Sequence, residues 1–226
     1  MSARDIDPTV LNQTVPMRVD ILDAGAPGRG AAEAFIHSHY AQAYGADVRH
    51  FLPRLMVLYA ADGELLATLG FRRARNERLF LEQYLDMPVE TQLALKLGYY
   101  CQRYEMVEVG NLVTTKPGGA RWLIAALTAY LKAAGYEWAV FTAVRQLRNA
   151  FARLSVELVP LGPADKSRLD TQEQILWGKY YETDPQVVAA SVSQSYEALL
   201  GYLDFESDRH RLKPLWQGAF AAGSAA

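Results

Sequence analysis

The chain has 226 residues, half of them hydrophobic and 21% charged, with a net charge of −2 and one cysteine. This suits one large domain, or one domain with an appendage, and excludes global disorder. It also gives no basic footprint for nucleic acid, no apolar run long enough to span a membrane and no apolar signal segment after Met1; with Cys101 lacking an internal disulfide partner, the expected location is the cytoplasm.

Residues 1–16 read as a lead-in, and Met17–Leu22 alternates apolar and polar residues as an edge strand does. After the break at Ala24-Gly-Ala-Pro-Gly-Arg-Gly30, Ala31–Tyr44 carries Phe35, Ile36, Tyr40, Ala43 and Tyr44 on one helical face and stops at Gly45. Leu55–Ala60 and Glu64–Arg72 form a predicted hairpin through Asp62-Gly63. Leu79–Asp86 looks extended and leads to a helix over about Val89–Arg103. Val107–Thr115 is a strand running into Lys116-Pro-Gly-Gly-Ala120, and the helix after it buries Trp122, Leu123, Ala126, Leu127, Tyr130 and Leu131. Then come a strand at Trp138–Ala143, a helix at about Arg145–Leu154 and a strand at Val156–Leu161. In the tail, Thr183-Asp184-Pro185 reads as a cap opening a helix to Leu203, and the last dozen residues read as frayed. The order predicts an α/β fold: a mixed twisted sheet with helices on both faces and a C-terminal helical extension. The expected division is 1–165 and 166–226.

The turn at Gly118 and Gly119 opens a helix, so backbone N–H groups and the positive dipole end can meet a phosphate. Lys116 and Arg121 flank the same place. If Val107, Val109 and Leu112 pack inward, with a break near Gly110-Asn111, Glu108 lies on the other face. It is then either a general base in the cleft or one half of a structural ion pair. Glu82, Tyr84 and Asp86 alternate along an extended segment and either share a face suited to a substrate ammonium or are ordinary exposed strand charges. Arg49 could grip a substrate carboxylate, with ordinary surface pairing as the alternative. His37 and His39 diverge on their helix, and His50 and His210 each have a carboxylate nearby but no second histidine or cysteine to complete a ligand set, so no metal site is expected.

The element order with its glycine turn resembles the GNAT N-acyltransferase fold. In that family the turn holds the pyrophosphate of coenzyme A or the phosphopantetheine of an acyl carrier. Gly118 and Ala120 fit the family's turn, but Thr115 stands where it has Arg or Gln. Phe151 stands where many members have a tyrosine general acid, a role that a phenyl ring cannot fill. More of the chain resembles the thermostable haemolysin family, in the phrases Tyr44-Gly-Ala-Asp-Val-Arg-His-Phe-Leu-Pro-Arg-Leu55, Phe80-Leu-Glu-Gln-Tyr-Leu-Asp86, Glu108-Val-Gly-Asn-Leu112, Phe141-Thr-Ala143, Arg148-Asn-Ala-Phe-Ala-Arg-Leu154 and Trp177-Gly-Lys-Tyr-Tyr181. Its members resemble GNAT relatives, with likeness to acyl-homoserine-lactone and N-acyl amino acid synthases.

The resemblance implies an N-acyltransferase that moves an acyl group from acyl-CoA or an acyl carrier protein to a small amine, an amino acid first among them. No permanently bound cofactor is implied; acyl-CoA or acyl-phosphopantetheine is the donor substrate. Asn111, Leu112, Val113 and Thr114 would serve the pantetheine amides, with one N–H, assigned to Asn111, at the thioester carbonyl. Lys116, Gly118, Gly119, Ala120 and Arg121 would serve the phosphates. Arg145 and Arg148 on one helical face would suit an acidic carrier protein. The competing reading is a membrane-active haemolysin without enzymatic activity, which would want an amphipathic insertion segment that the chain does not display.

Overall fold

The computed structural model describes residues 18–75, 77–116, 119–205 and 209–226; the lead-in at 1–16 and the Gly118 of the turn lie outside them. The elements, in chain order, are β1 (Arg18–Leu22), α1 (Arg29–Tyr44), β2 (Arg54–Tyr59), β3 (Leu65–Arg73), a 3₁₀ turn at Phe80–Tyr84, α2 (Val89–Leu97), β4 (Met106–Thr114) and α3 (Ala120–Ala133). They continue with β5 (Trp138–Ala143), α4 (Arg145–Arg153), β6 (Val159–Pro163), α5 (Thr171–Leu176), β7 (Gln186–Ser191), α6 (Val192–Phe205) and α7 (Arg209–Ser224).

The strands form one sheet in the order β1-β2-β3-β4-β5-β7-β6. It is antiparallel from β1 to β4, parallel between β4 and β5, and antiparallel again through β7 to β6. On one face Met56, Leu69, Phe71, Val107 and Val109 pack against Leu123, Ile124 and Leu127 of α3, with Leu199 of α6 and Leu215 of α7 completing the layer. On the other face Ile36 and Tyr40 of α1 cover Leu55 and Val57, while Leu93 of α2 covers Met106 and Val140. This is the mixed sheet with helices on both faces that the element order predicts.

Three expectations change. The tail supplies β7, which lies inside the sheet between β5 and β6; Thr183-Asp184-Pro185 leads into a strand, and the helix starts only at Val192. The run Val187-Val-Ala-Ala190 is buried on both faces, a strand context in which a helix signal from the preceding proline loses to tertiary packing. Helix α2 ends at Leu97, because Gly98 adopts φ 78° and its N–H closes on the Ala94 carbonyl. The Ala- and Gly-rich C-terminus is a helix seated on α3 and not a frayed end: Leu212, Leu215, Trp216 and Ala219 are buried, and a Cβ at Gly223 would run into the Tyr130 carbonyl.

Candidate active site

Strand β4 leaves its parallel neighbour halfway along. It pairs with β5 from Met106↔Trp138 to Val109↔Phe141 and no further, although β4 runs to Thr114 and β5 to Ala143. The register with β3 also slips between Thr68 and Gly70, where Asn111 takes φ 51°. That bulge inverts the side-chain parity: Val107 and Val109 face α3, while Val113 faces α1. The break read at Gly110-Asn111 is therefore where the two central strands splay.

Packing holds the bulge. Asn111 Oδ1 accepts the Leu52 N–H at 3.0 Å, and Asn111 Nδ2 donates to the His50 carbonyl at 3.4 Å. Gly70 makes room for this arrangement, since a Cβ there would sit 2.8 Å from both Asn111 Oδ1 and Leu52 Cβ. Gly70→Ala should therefore cost about 1–3 kcal/mol by overpacking and loosen residues 48–53. Chemical denaturation compared with wild type checks this, and an unchanged midpoint would show that the loop yields without cost.

The splay opens into a cleft of about 1130 Å³, lined among others by Arg49, Tyr84, Glu108, Asn111, Leu112, Val113, Thr114, Lys116 and Ala120. Between the lining residues Lys116 and Ala120, Gly119 precedes α3 with no side chain to cap the helix, leaving the first-turn N–H groups without a side-chain acceptor there. Gly119 has φ −61°, so its glycine is not needed for a left-handed backbone. It is needed for space: a Cβ would stand 2.9 Å from Thr114 Cβ and 3.1 Å from the Lys116 carbonyl oxygen. Thr115, at the position where an Arg or Gln was sought, turns away and bonds the Leu66 carbonyl with both its N–H and its hydroxyl. Arg121 lies with its guanidinium carbon 5.7 Å from the Trp122 ring centroid and is not a cleft-lining residue.

Glu108 does not stand open to water. It is 3% exposed and directly opposite Arg72 in the β3–β4 register. It accepts Arg72 Nε at 2.6 Å and the Leu81 N–H at 2.8 Å. Of its two readings, the structure displays the ion pair.

Glu82, Tyr84 and Asp86 do not share a face, because the segment is a 3₁₀ turn and not a strand. Glu82 is buried, accepts the N–H groups of Leu79 and Val89, and meets Arg103 through both oxygens at 2.6 and 3.0 Å. Burial works to raise its carboxyl, but Arg103 and the two N–H donors outweigh burial and hold it below the usual carboxylate value. Tyr84 is buried beside Tyr181, and burial raises both phenols, Tyr181 to about 12. Asp86 is outside, paired with Arg168. Arg49 reaches the cleft rim but is engaged by Asp47, whose carboxyl is lowered by hydrogen bonds from Arg49 and His37. Phe151 stacks on Phe141 with centroids 5.1 Å apart, as a core ring does.

Among the cleft residues that the sequence does not single out are two carboxylates, Asp170 and Glu173. Their spacing is that of a capping pair, and Asp170 does cap α5 by accepting the Glu173 N–H; the spacing signals a helix start, and only the fold brings it to the cleft. Among the described residues no group of three or more His, Cys, Asp or Glu side chains gathers to hold a metal, and no helix is long and apolar enough to cross a membrane.

The fold is shared with known structures at low identity. The acyl-homoserine lactone (AHL) synthase LasI superposes with a TM-score of 0.55 at 12% identity, covering 83% of this chain and 96% of LasI. FeeM, an N-acyl amino acid synthase from uncultured soil microbes, gives 0.54 at 13%, covering 84% and 99%. The CoA-dependent acyl-homoserine lactone synthase MesI gives 0.51 at 12%, covering 84% and 97%. The protein thus has a GNAT-like fold. The chain belongs to the thermostable hemolysin family, whose model matches residues 22–196. No curated protein matches it by sequence.

Proposed function

We propose that the protein is an N-acyltransferase that moves an acyl group from acyl-CoA or an acyl carrier protein to a small amine, with an amino acid as acceptor. The observation that carries this reading is the splay of β4 from β5, which leaves Gly110–Thr114 without a strand partner on the side of the cleft and directly ahead of the start of α3. An extended chain of amides, such as pantetheine, can pair with such an edge. Its phosphates would then reach the first-turn N–H groups of α3 beside Gly119, with Lys116 supplying charge. The N–H at Asn111 is the proposed donor to the thioester carbonyl oxygen, while the Asn111 side chain fixes the bulge. Glu108, held by Arg72, keeps β3 and β4 in register next to this edge; proton transfer falls to another group.

Incubation of the purified protein with acyl-CoA or acyl carrier protein and an amino acid panel, followed by mass spectrometry, tests the reading. An amide product formed only with donor supports it. Leakage of liposomes by the protein without donor, and no amide, would support a lysin instead.

The choice of donor has its own test. Arg148 is a staple, bonding the Ala143 and Asp184 carbonyls and the Asp184 carboxylate; Arg145 shares that carboxylate at a looser 3.6 Å with a side chain 71% exposed, and is the more accessible of the two to an acidic carrier. Arg145→Glu should slow turnover with acyl carrier protein several-fold, more at low salt, and leave acyl-CoA turnover alone. Equal slowing of both donors would remove α4 as a docking surface.

A further inference from the structure

One carboxylate oxygen in the cleft wall has no hydrogen-bond donor among the described residues. Glu173 lines the cleft with a side chain that is only partly buried, while its Oε2 lies beneath the surface and accepts no hydrogen bond among the described residues. An unsatisfied buried acceptor costs stability, and folding alone gives no reason to keep one. The titratable groups close enough to act on it electrostatically are His50 from the loop after α1, Asp170 from its own turn, Tyr84 from the 3₁₀ turn and Tyr181 from the aromatic segment before β7. Both phenols are raised by burial and stay neutral near pH 7.

The helix that carries this carboxylate is tethered to the β4 bulge. The Leu176 carbonyl at the end of α5 accepts the Asp47 N–H at 2.7 Å. Three residues further along the same loop, the His50 carbonyl accepts Nδ2 of Asn111. One short segment therefore ties the helix carrying Glu173 to the residue where the central strands part.

We propose that Glu173 is the acceptor-side carboxylate of the cleft, receiving the ammonium of a primary amine and taking the proton that must leave before its nitrogen attacks. The inference rests on the acyltransferase reading and supplies its acceptor end. In balanced form, the ammonium gives one proton to Glu173, the nitrogen forms a bond to the thioester carbonyl carbon, and the carbon–sulfur bond breaks. The departing thiolate takes the second nitrogen-borne proton, and Glu173 returns the first to water. Burial, together with the Asp170 charge and against the opposing effect of His50, raises the carboxyl above its ordinary value, which favours proton acceptance from an amine.

Two measurements test this. In the first, without donor, butylammonium and its neutral isostere butanol are titrated into wild type and Glu173→Gln by calorimetry. Wild type should bind the cation about tenfold or more tightly than the alcohol, and Glu173→Gln should lose that preference. Equal binding of both probes by wild type, or an undiminished preference in the variant, overturns the proposal. In the second, turnover of acyl-CoA and an amino acid is followed against pH. Glu173→Gln should lower kcat/KM for the acceptor by about 10²–10⁴-fold and remove the ascending limb, leave KM for acyl-CoA unchanged, and be partly rescued by Glu173→Asp. An unaltered limb with wild-type kcat/KM overturns it as well. If wild type selects the ammonium but binds no acyl-CoA, it is the acyltransferase reading that fails, and the cation site remains.

Discussion

Gly119→Asp is expected to weaken acyl-donor binding by on the order of 100-fold, while Gly119→Ala weakens it much less. Both add a Cβ that presses on Thr114 Cβ and the Lys116 carbonyl, and both should lose about 1–3 kcal/mol of stability from that overpacking. The aspartate differs in two ways. Asp is a preferred N-cap, so its carboxylate should recover up to about 1 kcal/mol by accepting first-turn N–H groups. Those same groups are the proposed phosphate donors, and the added charge repels what they would bind. The two variants should therefore rank oppositely: aspartate no less stable than alanine on thermal melting, yet far weaker in calorimetric titration with acyl-CoA. Equal affinities for the two would remove the start of α3 from the donor site.

The second large effect is on stability. Arg103 holds Glu82 through two oxygens, reaches Glu90 at 2.7 Å and donates to the Glu77 and Arg75 carbonyls. Glu82 is 5% exposed. Arg103→Met leaves that carboxylate buried with only its two N–H donors, and breaking such a pair costs about 3–5 kcal/mol. At roughly 2–4 °C per kcal/mol for a chain of this size, the melting temperature should fall by about 10 °C. The pH dependence carries a sign. In wild type the Glu82 carboxyl is lowered, so its contribution is present above the unfolded value near 4.3 and is lost as pH falls through the lower folded value. In Arg103→Met burial is no longer outweighed, so the carboxyl rises and acid relieves the strain. The variant should therefore be closer to wild type in mildly acidic buffer than at neutral pH. A gap that widens in acid would show that Arg103 works through its carbonyl contacts and not through Glu82.

Glu82 and Glu108 illustrate how a carboxylate in a family-like phrase can mislead. Both sit beside the cleft in the sequence pattern, and both are spoken for by an arginine: Arg103, 21 residues away, and Arg72, 36 residues away. Parity along β4 put Glu108 on the correct face, but nothing local to residues 106–114 names its cross-strand partner. Register alone decides that. Glu173 shows the converse: its neighbours in sequence explain its backbone as a capped helix start, and its importance comes from an oxygen left without a donor once α1, the loop after it and α5 are assembled.

What the sequence by itself determined is the ordering of elements: the hairpin at Asp62-Gly63, the apolar stripe of α3, the break at Gly110-Asn111 and the glycine before α3. Each is a local signal, because turns, caps and helical stripes are set by residues within a few positions of one another. The tertiary structure alone decided the insertion of β7 between β5 and β6, the 3₁₀ path of Phe80–Tyr84, the ion pairing of Glu108 and Glu82, and the arrival of Glu173 at the cleft. All of these depend on contacts between residues distant in the chain. Such contacts are chosen by which buried groups must find partners, and no local pattern records that choice.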